Sequence, residues 1–199
     1  MNFDRRHFLG AVAVGTAGLI APRSFAAVRS GNQPALLARA MAALNSHASS
    51  IPRRDVIGLV DFGSPSRAPR FQLVDIGNGR VLKTLHVAHG RGSDPANSGW
   101  VEHFSNRPGS NASSQGCFLT GDTYVGKHGR SRRLHGLDPE NNLAASRGIV
   151  IHSASYVDPS LALAQGRIGR SQGCFTVSNR EIADVLARLG PGHLLFASK

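Results

Sequence analysis

The chain has 199 residues, which is enough for one domain with a real core, with or without a small appendage. Aromatic residues make up only 6% of the sequence and glycine occurs 23 times, a composition that favours short strands and turns over a helical bundle. The formal net charge of +11 indicates acidic partners, which could be nucleic acid, an anionic membrane or an anionic polymer outside the cell.

The first 26 residues have the features of an export signal. A twin-arginine pattern at 4–9 precedes a Gly- and Ala-rich apolar stretch, and Ser24 and Ala26 supply the small residues of a cleavage site. The segment resembles a bacterial twin-arginine (Tat) signal peptide, so we expect cleavage near Ala26 and a periplasmic protein. The apolar stretch is too short to span a bilayer, and no other segment is predicted to cross one. In that compartment an anionic cell-wall polymer is the expected partner and nucleic acid is not.

Residues 27–50 are predicted to form an N-terminal helical extension. Apolar residues from Leu36 to Leu44 recur there at helical spacing, and Pro34 before them suits a first helical turn. We expect these leucines to pack against the domain that follows.

Residues 51–199 have the pattern of one mainly β domain with a few helices. The predicted strands are 56–62, 71–76, 81–87, 117–125, 134–137, 149–152 and 193–196. Asn78-Gly79 is a strong hairpin-turn signal between the second and third of them. Ser178 and Glu181 have the spacing of a capping box, which predicts a helix over 180–189.

A long polar loop is predicted at 89–115, where most residues are Gly, Ser, Asn, Asp, Pro or Arg. A loop of this length inside a compact domain is usually functional or disordered. Because it leads directly into Cys117, we expect it to cover a functional site.

A histidine at the end of an apolar strand and a cysteine after a glycine-containing turn form the candidate catalytic pair, His152 and Cys174. An imidazole titrates near neutral pH and can take the proton of a thiol nucleophile. The backbone N–H groups of Gly173 and Cys174 are candidates for binding an oxyanion, because a glycine lets a turn present consecutive donors. The carbonyl of Ser153 is a candidate for orienting the imidazole. A buried histidine and a half-cystine would give the same pattern.

The order of these residues resembles the signature of YkuD-type L,D-transpeptidase catalytic domains. That signature is a histidine with a small residue after it and, roughly twenty residues later, Ser/Thr-x-Gly-Cys. Further stretches are similar to the branch often labelled murein L,D-transpeptidase: 113–116, 118–121, 124–129, 134–137, Asn141 and 147–152. The likeness covers roughly residues 51–198.

The resemblance implies a β-sandwich-like fold with a cysteine nucleophile, and no metal or other cofactor. The predicted N-terminal helix and the helix predicted after the cysteine would be added to this fold. It implies acyl transfer on peptidoglycan stem peptides, in which a thiolate attacks the amide before the terminal D-Ala. A second stem amine would then give a cross-link between the third residues of two stems, whereas water would give carboxypeptidase activity. In this scheme Cys174 is the nucleophile, His152 the base and Ser153 the group that orients it. Gly173 and Cys174 are the oxyanion donors.

One departure from the family pattern lies two positions after the cysteine, where many members have an arginine and this chain has Thr176. Arg167 and Arg170 precede the cysteine and are the candidates for binding substrate carboxylates instead. Ser171 and Tyr156 are the other predicted substrate-binding residues.

Cys117 is the second departure, because a different residue usually follows the first Ser-Gln-Gly of the family. Three interpretations are open: a disulfide with Cys174, which an oxidising compartment favours, an inert buried thiol, or the nucleophile itself. Only Cys174 has the family's spacing from His152. The pentapeptide SQGCF occurs twice, at 114–118 and 171–175.

A zinc-peptidase hypothesis is not supported by ligand spacing. His103, His128 and His135, with Asp138 as a fourth ligand, show no H-E-x-x-H or comparable pattern. The basic run 127–133 is interpreted as a face for anionic wall polymer. The alternatives to a transpeptidase are a thiol hydrolase that trims stem peptides and a non-catalytic wall-binding module.

Overall fold

The computed structural model describes residues 33–199, so the predicted signal peptide lies outside the described residues. Three α-helices occur in this range: α1 Gln33–Ser46, α2 Pro159–Gln165 and α3 Ile182–Arg188. The strands are β1 Val56–Asp61, β2 Phe71–Asp75, β3 Arg80–Leu85, β4 Gly116–Gly126, β5 Gly129–Gly136, β6 Val150–Ser153, β7 Phe175–Val177 and β8 Leu194–Ser198. None of these three helices combines the length and the apolar character needed to cross a membrane.

The strands form one mixed sheet in the order β3-β2-β1-β8-β4-β5-β6-β7. The pairs β1 with β8 and β6 with β7 are parallel, and the other neighbours are antiparallel. Beyond β3, Ala88 pairs with Thr176 and Gly90 pairs with Ser171, so the chain that leaves one edge strand contacts the other edge. The sheet is therefore curled, and its two halves face each other as in a sandwich.

The main hydrophobic core lies inside the curled sheet and is covered by α3. Every strand contributes at least one buried side chain to it. Phe62 stacks on Phe175 with 5.9 Å between ring centroids, and Phe118 meets Phe175 edge-on at 5.2 Å. Aromatic pairs at these separations stabilise a core by about 1 kcal/mol beyond the area they bury. Since Phe175 directly follows Cys174, this packing fixes the chain at the candidate nucleophile.

A second hydrophobic cluster lies under α1, on the other face of the sheet. Leu36, Ala40 and Leu44 recur at four-residue spacing on one side of α1 and are buried. They pack against side chains of β1, β2, β4 and β8. The mainly β fold with an N-terminal helix and a helix after the cysteine is therefore confirmed.

The two hairpins of the sheet differ in how well their boundaries were predicted. The β2–β3 turn lies at Asn78-Gly79 as expected, with Gly79 at φ +62°. The strand predicted at 134–137 was wrong at its start, because β5 already begins at Gly129. Charged and small residues fill the first half of β5, so the apolar alternation that marks a strand is missing there. The basic run 127–133 is thus the hairpin tip and the start of β5.

The crossover from β6 to β7 contains a helix that the sequence does not predict. The Asp158 carboxylate accepts the Ser160 backbone N–H at 2.8 Å, Pro159 takes the first helical position, and Gly166 ends the helix at φ +67°. With seven residues, α2 is too short for apolar periodicity to reveal it. It returns the chain so that β7 lies parallel to β6.

Candidate active site

The parallel pairing of β6 with β7 brings the two candidate catalytic residues to one edge of the sheet. The register sets His152 beside Thr176, which is two residues after Cys174. His152 is only 2% exposed, whereas Cys174 is partly exposed. A ligand can therefore reach the thiol while the imidazole stays shielded from water.

Two hydrogen bonds to the His152 ring, supported by a third between its neighbours, fix the ring and its tautomer. Nδ1 lies 3.0 Å from the Ser153 carbonyl oxygen, which can only accept, so Nδ1 carries the proton. Nε2 is then an acceptor and lies 3.0 Å from the Oγ1 atom of Thr176. The Tyr156 hydroxyl donates to the same Oγ1 atom at 3.3 Å. Thr176 was not predicted as a site residue, although residues at positions i and i+2 of a strand share a face.

Cys174 follows a tight turn that requires glycine at position 173. Gly173 has a φ of +113°, and a Cβ atom added there would lie 2.7 Å from the Ala112 carbonyl oxygen. The Cys174 thiol donates to the Gly148 carbonyl oxygen, with 3.5 Å between sulfur and oxygen. Among the described residues, no hydrogen bond joins this thiol to His152. The thiol must turn away from Gly148 before the imidazole can take its proton.

Ser171 holds the same turn through its hydroxyl group. Its Oγ atom donates to the Cys174 carbonyl oxygen at 2.8 Å and accepts the Gly173 N–H at 3.1 Å. By contrast, the Cys174 N–H donates to no group in the part of the chain that the structure describes. Of the two backbone N–H groups predicted to bind an oxyanion, the one of Gly173 is therefore occupied, and only the one of Cys174 is free among the described residues. Ser171 itself is buried and supports the turn.

The thiol and the imidazole are both held in their neutral forms. Burial raises the pKa of the Cys174 thiol above its ordinary value. A hydrogen bond from the Val150 backbone N–H, and then the charges of Lys127 and Arg147, lower the pKa of this thiol, but by less than burial raises it. Burial also lowers the pKa of His152, which favours the neutral imidazole. The pair is therefore set up for proton transfer when a substrate arrives, not as a permanent ion pair.

Arg147 ties the long polar loop before β4 to the catalytic turn. Its Nη1 atom donates to the Ser105 carbonyl oxygen at 2.8 Å and to the Ser114 hydroxyl at 2.7 Å. Its Nη2 atom donates to the Ser110 hydroxyl at 3.2 Å and to the Ala112 carbonyl oxygen at 2.6 Å. The loop is thus ordered by one guanidinium group and borders the turn of Cys174 through Ala112.

A buried polar network supports the catalytic turn from the side of this loop. Arg70, His89 and Asp94 are at most 1% exposed. Arg70 donates to His89 Nδ1 at 2.6 Å, and His89 Nε2 donates to an Asp94 carboxylate oxygen at 3.2 Å. Burial, followed by the charge of Arg70, lowers the pKa of His89 to about 4. The His89 carbonyl oxygen accepts the Ser171 N–H at 2.8 Å, which attaches the network to the turn.

The tip of the β4–β5 hairpin lies over the candidate base, His152. The His128 ring stacks on the His152 ring, with 4.2 Å between centroids and 21° between planes. The charge of the adjacent Lys127 lowers the pKa of both His152 and Cys174. The basic run, interpreted from the sequence as a polymer-binding face, therefore has its first two residues at the candidate site.

The other predicted substrate-binding side chains form hydrogen bonds to other parts of the protein. Arg170 donates to the Asp94 carbonyl oxygen, and Arg167 donates to the Gln165 carbonyl oxygen at 3.3 Å. Tyr156 is half-buried and directs its hydroxyl to Thr176, the hydrogen-bond partner of His152. The structure thus leaves neither arginine fully free to bind a substrate carboxylate.

Cys117 lies in the cluster under α1 and is not paired with Cys174. Both residues are free thiols, so the disulfide considered above is not formed. Burial, followed by the charge of Asp138, raises the pKa of Cys117 to about 12. A thiol that stays protonated in this way is a poor nucleophile.

His47 and Asp138 lie beside Cys117, and one ligand-type atom of each residue lies within 4.8 Å of the others. This is the one such group among residues 33–199, and none of the three histidines considered for zinc belongs to it. Asp138 Oδ1 lies 2.8 Å from His47 Nε2, while Oδ2 accepts the Cys117 N–H at 2.6 Å. Both carboxylate oxygens are therefore used to join the end of α1 to β4.

Several solved L,D-transpeptidases are structurally similar to this chain. One from Mycobacterium smegmatis is 15% identical with a TM-score of 0.45, and the match covers 73% of this chain and 59% of that protein. One from Mycobacterium tuberculosis is 13% identical with a TM-score of 0.46, covering 73% and 58%. One from Xylanimonas cellulosilytica is 17% identical with a TM-score of 0.44, covering 80% and 69%. The chain thus spans about three fifths of the length of the two mycobacterial proteins.

Sequence comparison identifies the family. No curated protein matches this chain. The profile of the L,D-transpeptidase catalytic domain matches residues 29–198, which include every candidate site residue. The chain therefore belongs to the family of L,D-transpeptidase catalytic domains.

Proposed function

We propose that the protein is a cysteine acyltransferase that acts on peptidoglycan stem peptides. The observation that carries the proposal is the pairing of β6 with β7, which sets the acceptor nitrogen of His152 beside the strand that follows Cys174. A partly exposed thiol, a neutral imidazole and a free backbone donor are the groups that acyl transfer through a thioester needs. Membership of the family supports stem peptides as the substrate class.

The first half-reaction forms a thioester on Cys174. The thiol turns from Gly148 toward His152, and Nε2 accepts its proton as sulfur attacks the carbonyl carbon of the amide before the terminal D-Ala. Collapse of the tetrahedral intermediate breaks the carbon–nitrogen bond. The leaving amine takes the proton from the imidazolium group, so D-Ala departs and His152 returns to its neutral form.

The negative oxygen of the intermediate is stabilised by the backbone N–H of Cys174. One donor of this kind typically contributes about 3 kcal/mol to a transition state. The Gly173 N–H adds a second donor only when the Ser171 hydroxyl releases it. The lowered pKa of His152 keeps the base unprotonated at neutral pH, as the first step requires.

The second half-reaction transfers the acyl group to an amine of another stem. The amine nitrogen attacks the thioester carbonyl carbon while His152 accepts the amine proton. The carbon–sulfur bond then breaks, and the imidazolium returns the proton to the sulfur, which regenerates the thiol of Cys174 and the neutral His152. Thr176 and Tyr156 keep Nε2 hydrogen-bonded between turnovers and so preserve the tautomer that accepts a proton.

Incubation of the protein with muropeptides that carry tetrapeptide stems, followed by mass spectrometry, tests this function. We expect cross-linked dimers that have lost one D-Ala. Free tripeptide and D-Ala without dimers would show that the enzyme hydrolyses the thioester and does not transfer the acyl group to a second stem. Unchanged tetrapeptide together with binding to cell-wall sacculi would contradict catalysis and support a wall-binding module.

A variant of the base provides the matched control. His152→Gln keeps groups that can hydrogen-bond to Ser153 and Thr176 but removes the proton acceptor that titrates near neutral pH. We expect the rate of D-Ala release to fall by about 10² to 10⁴. An unchanged rate would show that another group takes the thiol proton.

A further inference from the structure

The β4–β5 hairpin presents a cation beside the catalytic pair in a defined position. Lys127 and His128 form its two-residue tip, and Gly129 at φ +75° closes the turn as in a G1-type bulge. The His128 ring is anchored on the buried His152 ring at 4.2 Å. The neighbouring Lys127 is therefore placed by a short hairpin with a fixed contact, not by a loose loop.

Lys127 has no partner of its own within the described part of the chain. None of the ion pairs between residues 33 and 199 includes it, and its side chain is exposed. An ammonium group on the hairpin tip that packs on His152, with no carboxylate among the described residues to neutralise it, is free to bind an anionic group of a ligand.

The arginines near the catalytic turn are less available than Lys127. Arg147 uses both terminal nitrogens in four hydrogen bonds to the long polar loop. Arg170 and Arg167 each donate to a backbone carbonyl oxygen. Lys127 is thus the cation beside Cys174 whose donors are all free among the described residues.

We infer that Lys127 forms a carboxylate-binding site in the catalytic cleft, for acyl donors whose carboxylate lies one residue beyond the attacked carbonyl. The inference rests on the proposed function, since the terminal D-Ala of a stem peptide has such a carboxylate. One residue extends the chain by at most roughly 3.6 Å, so the carboxylate must lie close to the sulfur that attacks. A flexible side chain with a compact charge can reach such a group without the planar fit that arginine needs.

Alkylation of Cys174 tests this site without requiring turnover. Iodoacetate and iodoacetamide attach similar groups to sulfur with loss of iodide, but only iodoacetate carries a carboxylate. The ratio of their rate constants at Cys174 is measured in the whole protein by mass spectrometry of the peptide that contains this residue. Any change in the thiolate fraction affects both reagents alike and cancels in the ratio.

We expect Lys127→Gln to lower the ratio of iodoacetate to iodoacetamide about fivefold, the effect of one unit charge a few ångström away in water. Lys127→Arg should retain the ratio of the unmodified protein. Arg130→Gln is the matched control, because it removes an exposed cation from the same hairpin. An unchanged ratio in Lys127→Gln overturns the inference. An equal fall in Arg130→Gln also overturns it, because the attraction would then come from the whole basic run.

Stem peptides provide a second test. Lys127→Gln should raise KM for a tetrapeptide about fivefold and leave KM for its C-terminal carboxamide nearly unchanged. Equal increases for both peptides overturn the inference. If the alkylation ratio falls as expected while the unmodified protein processes no tetrapeptide, the carboxylate site stands and the proposed function fails.

Discussion

The pentapeptide SQGCF occurs at 114–118 and at 171–175, and the glycine before the cysteine has a similar backbone conformation in both copies. Gly116 and Gly173 both have a positive φ, of +103° and +113°. Each copy ends on a buried phenylalanine at a strand, and these two rings lie 5.2 Å apart in the main core. Each cysteine therefore lies between a glycine of positive φ and a phenylalanine of the main core.

The two thiols differ because their tertiary surroundings differ. Cys117 lies under α1 and beside Asp138, and burial followed by this negative charge raises its pKa to about 12. Cys174 lies at the sheet edge, where burial raises its pKa but a hydrogen bond from the Val150 N–H, followed by the charges of Lys127 and Arg147, counteracts the rise. A carboxylate disfavours a thiolate and a cation favours it. The same five residues therefore give an inert thiol in one place and a candidate nucleophile in the other.

The largest difference between the two copies is expected when each cysteine is replaced by alanine in turn. Cys174→Ala should lower the rate of D-Ala release from tetrapeptides by about 10⁴ or more, the scale seen when a covalent nucleophile is lost. Cys117→Ala should leave the rate per folded molecule within about twofold, because only a small buried group is lost and the catalytic turn is untouched. Initial rates, corrected for the folded fraction by circular dichroism, decide the matter. The reverse pattern would make Cys117 the nucleophile.

The alkylation rate of Cys117 in the folded and in the unfolded protein tests whether this thiol is inert. A pKa of about 12 in place of the ordinary 9.0 lowers the thiolate fraction about a thousandfold near neutral pH. Pulse labelling with iodoacetamide should therefore modify Cys117 about a thousand times faster in the urea-unfolded chain than in the folded protein. Labelling of folded Cys117 as fast as that of Cys174 would contradict the protected environment.

The fold class and the candidate pair were predictable because they depend on signals that are close together in the sequence. Apolar strands, the Asn78-Gly79 turn and the interval from His152 to Cys174 can all be read along the chain. The helix α2 could not be read, since it is too short for periodicity to reveal it.

The groups that surround the candidate pair were not predictable, because the fold brings them from distant positions. His128, at the tip of the β4–β5 hairpin, contacts His152 only in the folded sheet, where β5 pairs with β6. The four acceptors of Arg147 lie in a loop whose composition suggests disorder as readily as order. His89 stands in the same polar stretch, and nothing in its sequence context distinguishes a buried histidine from an exposed one.

The buried network of Arg70, His89 and Asp94 contacts the turn of Cys174 and not that of Cys117. Acid titration tests how much this network stabilises the protein. His89 has a pKa of about 4 in the folded protein and an ordinary value of 6.5 when exposed. Between these values the unfolded chain binds a proton that the folded chain does not. The contribution of His89 is therefore complete above pH 6.5 and is lost as the pH falls toward 4. The full loss in the free energy of unfolding is about 3 kcal/mol, at 1.36 kcal/mol for each pH unit.

Urea denaturation across this pH range measures the loss, and two histidine variants assign it. His89→Gln can still accept from Arg70 and donate to Asp94, but it does not titrate, so its free energy of unfolding should fall by about 3 kcal/mol less than that of the unmodified protein. His135→Gln, at an exposed position, should leave the fall unchanged. If His89→Gln shows the full fall, the acid sensitivity belongs to other groups. Because His89 holds the Ser171 N–H, a fall assigned to His89 would couple protonation of this buried ring to the turn that carries Cys174.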